Sequence, residues 1–525
     1  MTVARSVSEV LDDHVTLEVE CIDRMYLNVY QPRLQHVNGV VWFFRGHRGA
    51  TFASSALMDP ISKGFVASIH RFCRDHDVPL IDFEKGQRKD DLAHEYLAEF
   101  EAEHGTDAEG VLFVGKAQEK NRVYRTEKRR NPVTGATYPW IVRSSGVINQ
   151  FYVYCVDADF GPFFLKFSSY FPYNAKLCIN GNEYAKRKAA QAGIGFAALD
   201  NGFAACDDPA RLQRICDRLS VGKIDALLRK WLRLLPHPFT AADRAAGFRY
   251  DISILQAEFS LTQMLDRPLS GRILFEEVIR ENLDLGRPDK VGLIFDRRIT
   301  RRGKHPTPGR WRTRVLTEGV TPSLHVDYKH SKIKQYQKEG RALRTETTIN
   351  DTGDFNIGRR LCNLPALREV GNHANRRLLD VERLPSDPTI GADAFTALST
   401  PTLVDGQRAS ALPFTAARTQ ALLATLVMFH LLPHGFRARD LRAHLAPLLD
   451  LPADSTTAAQ LTSDLRLLRL NGLIERIDVT HRYPVPPHGL RHAVPLTTPP
   501  PRPPCAASPA PPDTPTPPPT PPPPP

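Results

Sequence analysis

Short apolar runs rich in β-branched and aromatic residues recur early in the chain: VVWFF at 40–44, VPLIDF at 78–83, VLFV at 111–114 and FYVYCV at 151–156. Bounded as they are by polar and turn residues, they predict buried strands. Between the first three, residues 60–75 set Ile61, Phe65, Ile69, Phe72 and Cys73 at helical spacing, and 92–103 is a second amphipathic stretch. The alternation predicts an α/β region over residues 1–205, with 163–167 and 176–179 adding antiparallel strands.

From 206 to 290 the pattern changes to a helical block. Asp208 before Pro209 supplies an N-cap and a proline at the first helical position. Leu212, Ile215 and Leu219, then Leu227, Leu228, Trp231 and Leu235, repeat at intervals of three and four. Thr240 and Asp243 have capping-box spacing, and the helix they open is expected to run through Ile252, Leu255, Phe259 and Leu261. A further helix is expected over 270–283, and VGLIF at 291–295 predicts a buried strand.

A two-residue period takes over at 331–349 (SKIKQYQKEGRALRTETTI), inside a basic strand and hairpin region at 291–382. Lys332, Lys334, Tyr336 and Lys338 share one face of the first strand, and Arg344, Glu346 and Thr348 share one face of the second. A two-residue turn at Glu339-Gly340 sets Tyr336 opposite Leu343. A three-residue turn with a left-handed glycine sets Tyr336 opposite Arg344 and Lys334 opposite Glu346, which gathers the polar groups.

Residues 383–412 have the Ser, Thr, Pro, Asp and Gly content of a linker. The segment 413–495 then predicts three helices, at 416–431, 438–449 and 456–471, and a hairpin at 473–485. In the last 27 residues, 499–525, stand 17 of the 44 prolines, so 496–525 is expected to be a disordered tail suited to a proline-reading partner. The sum is an α+β multidomain protein: N-terminal α/β region, central helical block with a basic β-hairpin, C-terminal three-helix and hairpin domain, and disordered Pro-rich tail.

Charge narrows the choice of partner. The chain carries a net charge of +11, and residues 297–344 alone, with fourteen basic and three acidic residues, account for all of it. A near-neutral protein with one concentrated cationic segment is expected to contact nucleic acid there. The contact candidates are Arg297, Arg298, Arg301, Arg302, Arg310, Arg312, Arg314, Lys332, Lys334, Lys338 and Arg344. No run of 18 apolar residues occurs, which predicts a cytoplasmic protein with no membrane partner. The eight cysteines form no C-x-x-C pair and are expected to be buried free thiols.

Two routes to phosphodiester chemistry are visible. Asp157 and Asp159 follow an apolar strand and Glu183 opens a helix, so the aspartates are candidate ligands for Mg2+ or Mn2+ and all three are candidate catalytic acids. Asp296 with Asp327-x-Lys329 is a second, sparser acid set. The other route is the hairpin, with Tyr336 and Glu346 as catalytic candidates. The aromatic run 160–173 suits base stacking.

Two resemblances bear on these candidates. The segment 413–495, three helices followed by Asn471-Gly472-Leu473-Ile474-Glu475-Arg476 and a hairpin to Arg482-Tyr483, resembles bacterial winged-helix DNA-binding domains. That resemblance implies a third helix seated in the major groove, with Thr457, Gln460, Ser463, Arg466 and Arg469 facing bases and Thr480, His481 and Arg482 on the wing. Lys334-x-Tyr336-x-Lys338 followed by Leu343-Arg344-x-Glu346 resembles an element of phage and plasmid replication initiators, and of large uncharacterised prokaryotic families of mobile-element type. The His-hydrophobe-His metal motif of rolling-circle initiators is absent. The expected function is a DNA-binding protein that cuts or rejoins strands. The alternatives are a non-catalytic winged-helix transcriptional regulator and a structured-RNA binder.

Overall fold

The computed structural model describes residues 11, 13–84, 86–267, 275, 285–297, 299–300, 305–309, 311–318, 321–383, 398–404, 407–413, 416–429, 435–449, 457–477, 480–486 and 489. Most of the helix expected over 270–283, and the proline-rich tail, lie outside the described residues. The chain divides into two compact units, Met1–Ser386 and Asp387–Pro525. No described helix is long and apolar enough to cross a membrane.

The first unit is organised on one sheet. Its strands are β1 (Val15–Tyr30), β2 (Leu80–Asp82), β3 (Gly110–Arg130), β4 (Thr137–Asp157), β5 (Gly161–Ser168), β6 (Ala175–Asn180), β7 (Phe196–Leu199), β8 (Gly202–Cys206), β9 (Asp251–Leu265), β10 (Arg314–Glu318), β11 (Thr321–Tyr328), β12 (Ser331–Lys338) and β13 (Ala342–Ile349). The helices are α1 (Val37–Trp42), α2 (Ser55–Asp75), α3 (Lys89–His104), α4 (Gly181–Gln191), α5 (Pro209–Asp217), α6 (Val221–Leu234), α7 (Ala241–Ala245), α8 (Pro288–Phe295) and α9 (Leu364–Arg383). Eleven strands pair in the order β10-β11-β12-β13-β9-β1-β6-β5-β4-β3-β2, with β7 and β8 as a separate pair. Only β2 and β3 are parallel, so the expected α/β alternation reduces to one parallel contact in an otherwise antiparallel sheet. Strands from 15 to 349 share it, running through the expected boundaries at 205 and 290.

Three elements differ from expectation. VVWFF is helical, because Val40, Phe43 and Phe44 bury together at intervals of three and four. VGLIF is also helical: Pro288 pre-sets the first turn, and Val291, Ile294 and Phe295 bury at the same spacing. Residues 252–261 belong to β9 instead of a helix. That strand lies between β13 and β1 and is covered on both sides over its second half, so its apolar residues lose the alternation that marks a half-exposed strand.

One sheet face packs against α2, α6 and α9 through residues such as Phe65, Ile69, Leu228, Trp231, Leu367 and Leu378. Over the other face, α4 and α5 cover Leu17, Val19, Met264 and Ala342, while α3 covers Phe113 and Tyr154. Between these two caps the sheet face carries polar side chains. The aromatic run is mostly core: Phe163, Phe167, Phe171 and Tyr173 are buried. Beyond Lys116 and Gln150, where β2 and β5 stop pairing, β3 and β4 continue as a two-stranded ribbon to the Arg130–Thr137 pair. The described cysteines are free, and all but Cys206 and Cys362 are buried.

The second unit holds a short pair, β14 (Thr402–Val404) and β15 (Gln407–Ala409), and three helices, α10 (Ala417–Phe429), α11 (Ala438–Leu448) and α12 (Ala458–Leu470). Leu422, Leu426, Leu441, Leu445, Leu461 and Leu468 are buried. Phe436 exchanges main-chain hydrogen bonds with Tyr483 at 3.0 and 2.8 Å, and Glu475 and Ile477 donate to the carbonyls of Pro484 and Arg482 at 3.1 Å each. Asp464 is buried and accepts two hydrogen bonds from Arg418 at 3.2 and 2.6 Å, which ties α12 to α10.

Candidate functional site

The β12–β13 hairpin adopts the register that collects its polar groups. Lys338 pairs with Ala342 across the three-residue turn Glu339-Gly340-Arg341, with Glu339 and Gly340 at φ of 46° and 73°, so Tyr336 stands opposite Arg344 and Lys334 opposite Glu346. On the far side of β13, Arg344 pairs with Thr262 and Glu346 with Ser260 of β9. The same polar face therefore continues from β12 through β13 to β9.

A bulge in β1 completes this face. Ile22 pairs with Phe259 and Met25 with Ala257, so Asp23 and Arg24 together oppose the single residue Glu258. The bulge also switches β1 between layers: Leu17, Val19 and Cys21 pack under α4 and α5, whereas Met25, Leu27 and Val29 enter the main core.

Arg344 is the hub. Its guanidinium is fully buried and donates from Nη2 to Asp23 Oδ2 at 2.7 Å, from Nε to Glu346 Oε1 at 2.6 Å, and from Nη1 to the Asn201 carbonyl at 2.6 Å and Thr262 Oγ1 at 3.0 Å. Asp23 Oδ1 accepts from Asn182 at 3.0 Å and also from Asn201. Tyr336 donates its phenol hydrogen to Glu346 Oε1 at 2.8 Å, and the Lys334 ammonium lies 4.3 Å from the centre of the Tyr336 ring. This corrects the expectation for Arg344: a guanidinium with four hydrogen bonds and no exposure cannot contact a phosphate.

The electrostatics divide the acids. Burial works against the Asp23 charge, but Arg344 and its hydrogen bonds outweigh it and hold Asp23 below the usual carboxylate range. Burial raises Glu346 against the pull of Arg344, and the neighbouring Asp23 charge adds to the rise. Glu258 is raised by burial and by Asp23 in the same way. Burial and the Glu346 charge push the Tyr336 phenol far above its ordinary value, so it stays protonated until a base takes the hydrogen. Beside this network lies a cleft of about 550 Å3 between α3 and α4, with Arg24, Tyr26, Lys186, Asn201 and Lys338 among its lining. Lys338 is held near Asp200 and Glu339, at 3.7 Å from each.

The other predicted acids do not assemble. Asp157 is buried, with Oδ2 accepting from Lys230 at 2.8 Å and Trp231 at 2.9 Å, and Oδ1 from the main-chain N–H groups of Asp159 and Phe160 at 2.9 and 3.2 Å. Burial opposes its charge, yet these donors keep it below the usual carboxylate range. Asp159 pairs with Lys188, and Glu183 with Lys186 at 2.7 Å. With both Asp157 oxygens taken by protein donors, the pair does not fit Mg2+ or Mn2+, and no group of three metal-ligating side chains occurs among the described residues. Asp157 is a turn and helix anchor. In the sparser set, Asp296 faces Arg377 at 3.6 Å and Asp327 faces Arg314 at 2.6 Å, so they too serve separate partners.

Several basic candidates are also engaged within the fold. Arg297 donates to the Phe355 carbonyl at 2.8 Å, and Arg314 reaches both Asp327 oxygens at 2.7 and 2.6 Å. Arg312 is exposed and Lys332 half-buried; Arg298, Arg301, Arg302 and Arg310 lie outside the described residues. In the second unit Ser463, Arg466 and Arg469 are exposed on α12, and Arg482 donates to the Gly435 carbonyl at 3.1 Å.

Two features escape a reading of the sequence. At the Asp23–Arg24 bulge, the odd positions from 15 to 29 are apolar on both sides of Asp23, so only Asp23 itself and the apolar Ile22 beside it hint at the change of face. On the β3–β4 ribbon, Arg125 and Arg129 are exposed and Arg129 lies 4.7 Å over the Trp140 ring beside Tyr138. Its signal is the basic run KNRVYRTEKRR at 120–130. No family model matches this chain, and neither a curated protein nor a solved structure matches it.

Proposed function

We propose that the protein binds nucleic acid on the polar sheet face and the β3–β4 ribbon, and that Tyr336 is the nucleophile of a strand-transfer step with Glu346 as its general base. The observation that carries this reading is the Tyr336–Glu346 hydrogen bond of 2.8 Å, with Glu346 anchored from behind by a buried Arg344. A carboxylate made more basic by burial and aimed at a phenol hydrogen is the pairing that nucleophilic catalysis by tyrosine requires. In the step, the phenol proton passes to Glu346, the Tyr336 oxygen bonds to phosphorus, and the bond from phosphorus to the leaving sugar oxygen breaks, that oxygen taking a proton from solvent. The phosphodiester is conserved as a tyrosyl ester, so no outside energy source is needed.

Strand binding has its own support. A two-stranded ribbon fits a groove, and the Arg129, Trp140 and Tyr138 cluster suits base stacking. The second unit suits a winged helix: its order of helix, Phe436, two helices and a ladder at 475–484 is that of the motif, and Ser463, Arg466 and Arg469 are free to face a groove.

Mixing the full chain with labelled single-stranded and supercoiled DNA, then separating the products on a denaturing gel, tests both halves. A covalent protein–DNA adduct that disappears in Tyr336→Phe while binding persists is the expected result. Binding without an adduct removes the strand-transfer step, and no binding removes the whole reading.

A further inference from the structure

Helix α5 buries Leu212, Ile215 and Cys216 under the sheet, which leaves Arg211, Arg214 and Arg218 along its outer side at spacings of three and four. Lys188 from α4 and Lys223 from the first turn of α6 close on the same space. The result is a pocket of about 410 Å3 whose lining includes these five bases and the Tyr184 ring, and no acid. That volume lies within the range of small-ligand sites.

The charges in this pocket are mostly uncompensated. Among the described residues, no side chain pairs with the guanidinium of Arg211, Arg214 or Arg218. Lys223 donates to the Tyr184 hydroxyl, a neutral partner, and lies 5.1 Å from the centre of that ring. Lys188 alone is neutralised, by Asp159. The neighbouring acids are committed elsewhere: Asp208 caps α5 through the Arg211 main-chain N–H at 2.9 Å, and Asp217 accepts from Gln213 at 3.0 Å. Like charges three and four apart on a helix repel, so an anion bound among them gains attraction and relieves that repulsion.

The geometry points to a phosphate-binding site at the junction of α4, α5 and α6. Arginine forks match phosphate oxygens in pairs, and three of them with a lysine at the side suit a group bearing more than one negative charge. The phosphates come either from a nucleic-acid backbone or from a free phosphate compound. The site does not depend on chemistry at Tyr336.

The test uses the full chain and the variant Arg211→Gln/Arg214→Gln/Arg218→Gln. Tripolyphosphate binding is measured by calorimetry, and affinity for a labelled single-stranded oligonucleotide by anisotropy across a salt series. Loss of tripolyphosphate binding, with the salt slope of oligonucleotide affinity falling by about 2, assigns the site to a nucleic-acid backbone, at about 0.7 for each phosphate no longer neutralised. Loss of tripolyphosphate binding with an unchanged slope assigns it to a free phosphate compound. Unchanged behaviour in both assays overturns the proposal. The triple Arg→Lys variant keeps the charges and retains binding, which separates loss of the site from misfolding.

Discussion

Arg344 on β13 and Arg214 on α5 carry the same guanidinium group in opposite circumstances. Arg344 is enclosed, gives four hydrogen bonds, and sits between two carboxylates. Arg214 is exposed at the pocket wall, without a partner among the described residues, and has another arginine on either side along the chain. The first is a structural rivet whose charge is consumed inside the fold; the second has its charge available to a ligand. Proximity to acids and to water, more than the local density of basic residues, separates a contact residue from a scaffold residue.

The sharpest way to break the comparison is to remove each group in turn. Arg344→Ala leaves Asp23 and Glu346 buried without their counter-charge, and should cost roughly 3–5 kcal/mol in urea unfolding. Arg214→Ala should stay within about 0.5 kcal/mol. Equal costs would erase the distinction.

A buried acid without a cation extends the comparison. Glu382 on α9 is fully buried, with Gln335 donating to it at 2.9 Å, and burial pushes its carboxyl up to about 8 against that hydrogen bond. The folded state thus holds a proton that the unfolded chain releases near pH ~4.3. Stability linked to this group is full below the unfolded value and is lost as pH rises through about 8. Glu382→Gln should flatten that dependence and raise stability at pH 8 by up to about 5 kcal/mol, measured by melting across a pH series.

Asp157 is the intermediate case, a buried acid with one lysine and three neutral donors. Asp157→Ala should lower stability by about 1–2 kcal/mol and leave any DNA cleavage activity of the surviving fold intact. Activity lost without a change in melting would return Asp157 to the catalytic candidates. The smallest effect is expected for the Arg211, Arg214 and Arg218 glutamine variant in the absence of ligand. Relief of like-charge repulsion should stabilise it by about 0.2–0.5 kcal/mol, visible as a slight rise in melting temperature at low salt.

Much of the local structure is legible in the residues. The Asp208–Pro209 helix start, the Thr240–Asp243 capping box and the strands around 163–167 and 176–179 follow from short-range chemistry, and all are present. The hairpin turn at Glu339-Gly340 is equally local, and its three-residue form brings Tyr336 and Glu346 together. What misleads is burial on both sides. β9 loses its alternation between two layers, and the apolar runs at 40–44 and 291–295 are short enough to suit strand or helix until their neighbours are known.

The sequence by itself therefore determined turns, caps and the polar faces of the hairpin strands, because each depends on residues a few positions apart, and it narrowed the hairpin to two registers, of which the structure takes the one that lets Tyr336 reach Glu346. The tertiary structure alone decided which charges are available. Asp23 reaches Arg344 across 321 positions through a bulge after which the apolar residues resume at the same odd positions, and Lys230 reaches Asp157 across 73. The α4–α6 pocket gathers bases from helices outside the one segment that holds the chain's net charge. Coulomb interactions and desolvation act over a few ångströms of space whatever the separation along the chain, so neutralisation is settled only when the sheet has brought its partners together.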